Sequence, residues 1–423
     1  MPGEDQGKMG AVVATAMSIT LVVGAGLLAL PGLTFSMAGR LGYLPWIAVA
    51  LLMLPLLAIF SWFARQMPSA GGVVGYVRGS LGPRPGAMCE LVVLGTFSLG
   101  IPAIALIGAG YFQQLAPGLS PGAIATGVIT LAYLAGVVGL RISGALQTAI
   151  AVVIVVGVLA IGAGFWLAAP ETAISLPVLI EGEGWAAWRG VASAIPVVLF
   201  AFTGWEMTAF LAEDMKDPKR TLPLSIWASF VIVTLMYIFI AWVVSAFGGP
   251  GDGWKFAPFV QLAQGWLGPW GGKIVALIAG MLVVANVIAA FIAASRAIFS
   301  AGREGLLPRR LAALDKRQQP LVAMTCTYAA FLGVIALSQA AALDIAFLLQ
   351  LAGQNFFFLY LCAALGYARL AQGARHRWVA GIAVASVLAM MLLFSPSGLI
   401  YCALLAGAGF ALGAGKDAVG RSA

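Results

Sequence analysis

Leu199–Pro223 reads LFAFTGWEMTAFLAEDMKDPKRTLP, and this stretch decides the fold. It begins as an apolar helix, places Thr203, Gly204 and Glu206 at membrane depth, and ends in a charged Asp-Pro-Lys-Arg turn. Gly204 is a weak helix former, and the Thr203 hydroxyl competes for backbone partners. A carboxylate at membrane depth is costly, so Glu206 marks a functional position unless it is a neutral acid hydrogen-bonded to a neighbouring helix. A second interrupted stretch answers the first. Val22–Gly32 reads VVGAGLLALPG, where Gly24 and Gly26 favour non-helical backbone and Pro31 removes a donor. Broken backbone survives in a membrane only where protein or water satisfies its polar groups. Two breaks, each in the first helix of its half of the chain, are the pattern of a transporter built from inverted repeats.

Composition fixes the environment. Of 423 residues, 62% are hydrophobic and 9% charged, and the mean hydropathy is +1.01. So few charges do not cover a water-soluble surface of this size. The net charge of +8 does not imply nucleic acid, because the basic residues sit in short loops between apolar spans. Cys89, Cys326, Cys362 and Cys402 show no metal-ligand spacing and read as small packing residues. His376, the only histidine, lies between Arg375 and Arg377 in a basic loop, so no metal site and no cofactor are expected. The first apolar run is too long for a cleavable signal peptide.

Apolar segments fall at about 9–37, 44–64, 87–115, 122–140, 145–168, 190–214, 224–247, 271–300, 321–338, 343–366, 377–394 and 397–414. At ~20 residues per crossing these make an all-α polytopic membrane protein of twelve spans, forming one integral membrane domain. Gly100-Ile-Pro102 is a point where span 3 is able to bend. With the N-terminus inside, all but four (Arg40, Arg189, Lys255 and Lys273) of the 23 Lys and Arg residues fall on the cytoplasmic side. The positive-inside rule therefore puts both termini in the cytoplasm. The longest outer segment, Pro170–Trp188, reads as a loop.

VGAGLLALPG in span 1, FAFTGWE with AEDMKDPKRTLP at span 6, and SRAIFSAGREGLLP after span 8 resemble the amino acid–polyamine–organocation (APC) transporters. PSAGGVVGYVRGSLGPR after span 2 and LQTAIA at the start of span 5 are similar to the bacterial amino-acid efflux branch, which includes exporters of methionine and branched-chain amino acids. The resemblance implies a five-plus-five inverted repeat of the LeuT kind, with residues 9–168 and 190–366 as the repeats and 377–414 as two further helices. It implies that spans 1 and 6 are broken at mid-membrane. It also implies that a substrate carboxylate rests on the N–H groups of Ala25 and Gly26, beside Gly24. The ammonium would rest on the carbonyls of Val22, Phe200 and Thr203. Half-helix N-termini suit a carboxylate, and freed carbonyls suit a cation. The family pattern often has Ser or Thr where this chain has Ala25, which removes a hydroxyl contact.

Spans 3, 6, 8 and 10 should line the side-chain pocket, with Ile101, Ile104, Trp205 and Asn286 as candidates. For any one of the isoleucines or Trp205 plain helix packing is the slightly favoured explanation, and an interhelical hydrogen bond is the alternative for Asn286. Glu206 is the only fixed charge in view, so neutral, apolar substrates are favoured over Arg, Lys, Asp and Glu. Span 5 lacks the lysine that couples protons in some family members, which leaves Glu206 as the candidate proton-sensitive gate. Glu90, near the inner end of span 3, is a weaker alternative. No sodium site is expected.

The resulting expectation is a secondary active transporter of the bacterial inner membrane. It exports methionine, leucine, isoleucine and valine by alternating access, with the amino acid, protons and lipids as its partners. An uptake permease or exchanger of the same fold is the alternative, with a non-transporting sensor further behind. A channel would need a continuous polar lining, and none is visible. An intramembrane enzyme would need a nucleophile with a base, or paired acids, at depth.

Overall fold

The computed structural model describes residues 10–23, 25–67, 72–139, 144–168, 184–205, 215–249, 251–316 and 318–419. Every regular element among them is helical. The first apolar stretch is split into α1, Ala11–Val22, and α2, Ala25–Ala38. Val23 ends α1 at φ −80° and ψ 69°, its N–H still bonded to the Ile19 carbonyl at 2.7 Å. Pro31 lies inside α2 without ending it. Its missing N–H costs the Leu27 carbonyl one helical partner.

Helix α3 covers Leu44–Gln66, and α4 covers Gly72–Leu81 in the Gly-rich connection that follows. Helix α5, Pro83–Gln113, runs unbroken through Pro102. Helix α6, Pro121–Val138, starts at Ser120, whose hydroxyl accepts the Ala123 N–H at 3.3 Å. Helix α7 covers Gly144–Ala168. Helix α8, Trp185–Leu199, tightens into a 3₁₀ turn at Phe200–Phe202. The outer loop expected to reach Trp188 is therefore helical from Trp185 onward.

Helices α9, Pro218–Phe247, and α10, Asp252–Phe256, lead to α11, Pro258–Arg303. Gly268 kinks α11 at φ 70°, so the start expected near 271 matches only the part after the kink. Helices α12, Leu321–Ala340, α13, Ile345–Leu370, α14, Ala374–Met391, and α15, Pro396–Val419, complete the chain.

Among the described residues, nine helices are long and apolar enough to cross a membrane. The expected twelve exceeds this count at spans 1, 5 and 11, and of span 5, within α7, only Thr148–Gly164 enters the count. Neither α1 nor α2 is long enough alone, and α14 opens on the polar run Arg375-His376-Arg377. Large apolar side chains face outward, among them Val138 at 75% exposure and Leu392 at 86%. Water would penalise that surface, whereas hydrocarbon solvates it, so the chain is a multi-pass membrane protein.

Helix α5 is the hub, packed on α4, α6, α11, α12, α13 and α15. On the other side, α9 packs on α1, α2 and α3. Trp46 of α3 joins the two halves, with its ring 4.9 Å from Tyr237 and 6.2 Å from Phe202. Its indole N–H donates to the Thr34 hydroxyl of α2 at 3.2 Å.

Candidate functional site

The two interrupted stretches meet in the interior. A β-carbon on Gly26 would stand a tight 3.0 Å from Ala201 Cβ and 3.1 Å from Ala201 Cα, so the glycine eases the close approach of α2 to the 200–202 turn. The turn gives way at Thr203, which is extended at φ −100° and ψ 159°. Gly204 then adopts φ 112°, a conformation that L side chains rarely reach. Helical phase is lost across these two residues.

A cavity of about 170 Å³ lies against the breaks. One water needs roughly 10–15 Å³ on the same measure, so the space admits a small organic solute. Val22, Val23 and Gly26 form one side, with Phe200, Ala201, Thr203 and Gly204 beside them. Helix α5 contributes a face running from Thr96 to Ile104, and α11 a face running from Leu282 to Ala293. Ile150 and Ile154 of α7 and Phe356 of α13 close the wall. No charged side chain lines it among the described residues.

The polar inventory is short. The hydroxyls of Thr20, Thr96 and Thr203 donate to carbonyls of their own helices, at Met17, Val92 and Phe200, over 2.9, 2.9 and 2.7 Å. Their oxygens remain acceptors. Asn286 carries the one side-chain amide on the wall and makes no hydrogen bond among the described residues. The rest of the polarity comes from helix ends. The N-terminus of α2 brings free N–H groups and positive potential to the site, and the end of α1 brings carbonyls. Such ends are worth about 0.3–1 kcal/mol per unit charge at a surface and up to ~2 kcal/mol when partly buried.

The wall includes Val22, Gly26, Ile101, Ile104, Phe200, Thr203 and Asn286. Ala25 opens α2. Gly24 and Glu206 lie outside the described residues. Trp205 is not on the wall. It is fully buried with its ring 5.4 Å from Phe230 of α9, following the non-helical pair Thr203 and Gly204.

Two carbonyls are less free than the sequence implied. The Val22 carbonyl accepts the Tyr237 hydroxyl at 3.1 Å, which leaves one lone pair. The Phe200 carbonyl accepts both the Thr203 N–H at 3.2 Å and the Thr203 hydroxyl at 2.7 Å, so a cation there would have to compete.

Sequence reasoning did not single out Thr20, Thr96, Phe97, Ile150, Ile154 or Phe356. It also missed the small face of α11 at Ala285, Ala289, Ala290 and Ala293. The helical spacing of those alanines was a usable signal. Glu90 is occupied elsewhere. The Arg78 guanidinium bridges it and Glu304, each at 2.6 Å, joining α4, α5 and the end of α11.

The two ends of the cavity differ in burial, and a second small cavity adjoins Leu27, Leu28 and Val283. Beyond Ile104, the side chains of Leu27, Leu28, Ile107, Tyr111 and Val283 are buried. Toward the start of α1, Thr20, Phe97, Ile150 and Ala293 are partly exposed.

Comparison with known proteins agrees with this geometry. Residues 10–414 match the family described as Amino acid permease. The chain is 27% identical over 406 residues to the uncharacterized amino acid permease YecA of Bacillus subtilis, covering 94% of this chain and 93% of that one. It is 26% identical over 377 residues to the L-methionine/branched-chain amino acid exporter YjeH of Escherichia coli, covering 88% of each. It is 24% identical over 354 residues to the branched-chain amino acid permease BcaP of Bacillus subtilis, covering 75% of this chain and 71% of that one.

Proposed function

The chain belongs to the amino acid permease family, a family of transporters rather than enzymes, and from that premise we propose that it exports neutral apolar amino acids by alternating access. The substrates proposed are methionine, leucine, isoleucine and valine. One observation carries the reading: ends of α1, α2 and the 200–202 turn converge on a cavity whose described wall is apolar and uncharged. A zwitterionic head suits helix ends of opposite polarity, and an aliphatic or thioether side chain suits the isoleucine and alanine faces opposite. A Lys or Glu side chain would be buried there without a partner, at a cost of several kcal/mol.

In this reading the carboxylate sits on the N–H groups of Ala25 and Gly26. The ammonium sits on the remaining lone pair of the Val22 carbonyl and on the Thr203 carbonyl. The Phe200 carbonyl joins only when Thr203 lets go. Ile101, Ile104 and Asn286 face the side chain. Twelve spans arranged as two inverted repeats, residues 9–168 and 190–366, place the breaks at the midplane. Both termini lie in the cytoplasm and the bilayer is the bacterial inner membrane. The more exposed end of the cavity, toward the start of α1, then faces the cytoplasm, the side from which an exporter loads. Similarity to a methionine/branched-chain exporter across most of both chains favours export. Similarity to a branched-chain permease keeps uptake as the second reading. Protonation of Glu206 is the proposed drive for gating.

A thermal-shift screen of amino acids on purified protein tests the substrate class. A ligand at 100 times its Kd stabilises the fold by about 2.7 kcal/mol. Methionine, leucine, isoleucine and valine should raise Tm, and lysine and glutamate should not. A screen led by charged amino acids would overturn this assignment.

A further inference from the structure

The break between α1 and α2 is held from both sides by buried tyrosines. Tyr237 of α9 donates its hydroxyl to the Val22 carbonyl at the end of α1. Tyr111 of α5 donates its hydroxyl to the Leu28 carbonyl in the first turns of α2. Both side chains are fully buried, and neither lines the cavity. We infer that they are two positioning residues with different duties: Tyr237 shapes the amino-acid site, and Tyr111 latches the closed exit.

The difference follows from what each hydroxyl joins. The Tyr237 hydroxyl sits 3.6 Å from where a β-carbon on Gly26 would be, directly behind the break. Its ring is boxed by Trp46 at 4.9 Å and Phe202 at 5.7 Å. Tyr237 therefore ties the end of α1, the start of α2 and the 200–202 turn into one packed unit. It also sets the direction of the Val22 carbonyl that the ammonium would share.

Tyr111 instead reaches that unit from α5, the opposite wall. Its bond to Leu28 lies with Ile107 and Val283 among the buried side chains beyond Ile104, the end that is closed in the proposed reading. A solute leaving by that route has to pass between α2 and the α5–α11 wall. The Tyr111–Leu28 bond must then open, whereas the Tyr237–Val22 bond has no need to.

This assignment rests on the transport reading above, so the test keeps the two separable. Leucine affinity is measured by thermal shift on purified full-length protein. Opening of the closed route is measured as the labelling rate of Val283→Cys by a membrane-impermeant maleimide, applied from the face that carries α10. Cys326, the exposed native thiol, is replaced by serine, and the same protein without Val283→Cys is the blank.

Tyr111→Phe should label about five-fold faster, the worth of one buried hydrogen bond, with leucine affinity within about two-fold of the parent. Tyr237→Phe should label at the parent rate and bind leucine roughly ten-fold more weakly, because it leaves a buried carbonyl short of a partner. Trp46→Phe, which loosens the box but keeps the hydroxyl, should weaken leucine binding in the same sense. Equal effects of the two tyrosine variants on both readouts would overturn the division of duties, as would no effect of either. If leucine fails to stabilise even the parent, the transport reading falls, while the labelling arm still decides Tyr111.

Discussion

Replacing Gly26 with valine should uncouple the two breaks. In the native structure the site of a β-carbon on Gly26 is 3.0 Å from Ala201 Cβ, 3.1 Å from Ala201 Cα and 3.6 Å from the Tyr237 hydroxyl. To admit that β-carbon, α2 and the 200–202 turn would have to part by a few tenths of an ångström, before the two valine methyls are counted. Overpacking of this kind costs about 1–3 kcal/mol. If the strain is relieved by moving α2, the N–H groups proposed for the carboxylate leave their place beside Thr203. At 1.4 kcal/mol per decade, leucine affinity then falls by roughly five- to hundred-fold. Gly26→Ala, with one methyl, should give a smaller loss in the same direction. The assay is thermal-shift titration with leucine, run beside size-exclusion chromatography to show that each variant is folded. A folded Gly26→Val protein that binds leucine as the parent does would refute the joint placement of the breaks at the substrate.

Other perturbations test the remaining parts. Ala289→Leu thickens the α11 face of the cavity and should disfavour leucine and methionine against alanine by about ten-fold or more, read by competition in the same titration. Glu206→Gln keeps shape and hydrogen-bonding capacity but cannot ionise. It should retain leucine binding while counterflow loses its pH dependence, and an unchanged pH profile would leave the proton-gate proposal without support. Arg78→Gln removes a guanidinium shared by Glu90 and Glu304, whose pairs are partly solvent-screened. It should lower thermal stability by on the order of 1 kcal/mol and leave leucine affinity unchanged.

Much of the site was legible in the sequence because its causes are local. Gly24 and Gly26 weaken helix wherever they stand, and α1 does end at Val22 with α2 beginning at Ala25. Ile101 and Ile104 lie in the unbroken α5 and Asn286 in the part of α11 after its Gly268 kink, so their place on the cavity wall follows from helical spans. Trp205 was misplaced because it follows two non-helical residues, Thr203 and Gly204, and helical phase does not carry across them. Gly72–Leu81 lies between the expected spans 2 and 3, and it is a helix supported by its packing on α5 and α13. Neither tyrosine announced itself, since their carbonyl partners are 83 and 215 residues away and only the tertiary fold joins them. Arg78 shows the same limit: two motifs separated in sequence meet through one guanidinium.

The central claim is that the cavity at the two breaks carries a neutral amino acid across the bilayer. Counterflow tests it most directly: purified protein in proteoliposomes loaded with unlabelled leucine, with labelled leucine added outside. Label should accumulate saturably above equilibrium, competed by methionine, isoleucine and valine but not by lysine, and should be much reduced in Gly26→Val. Flux that is absent, or that rises linearly with concentration and is insensitive to these competitors, would contradict it.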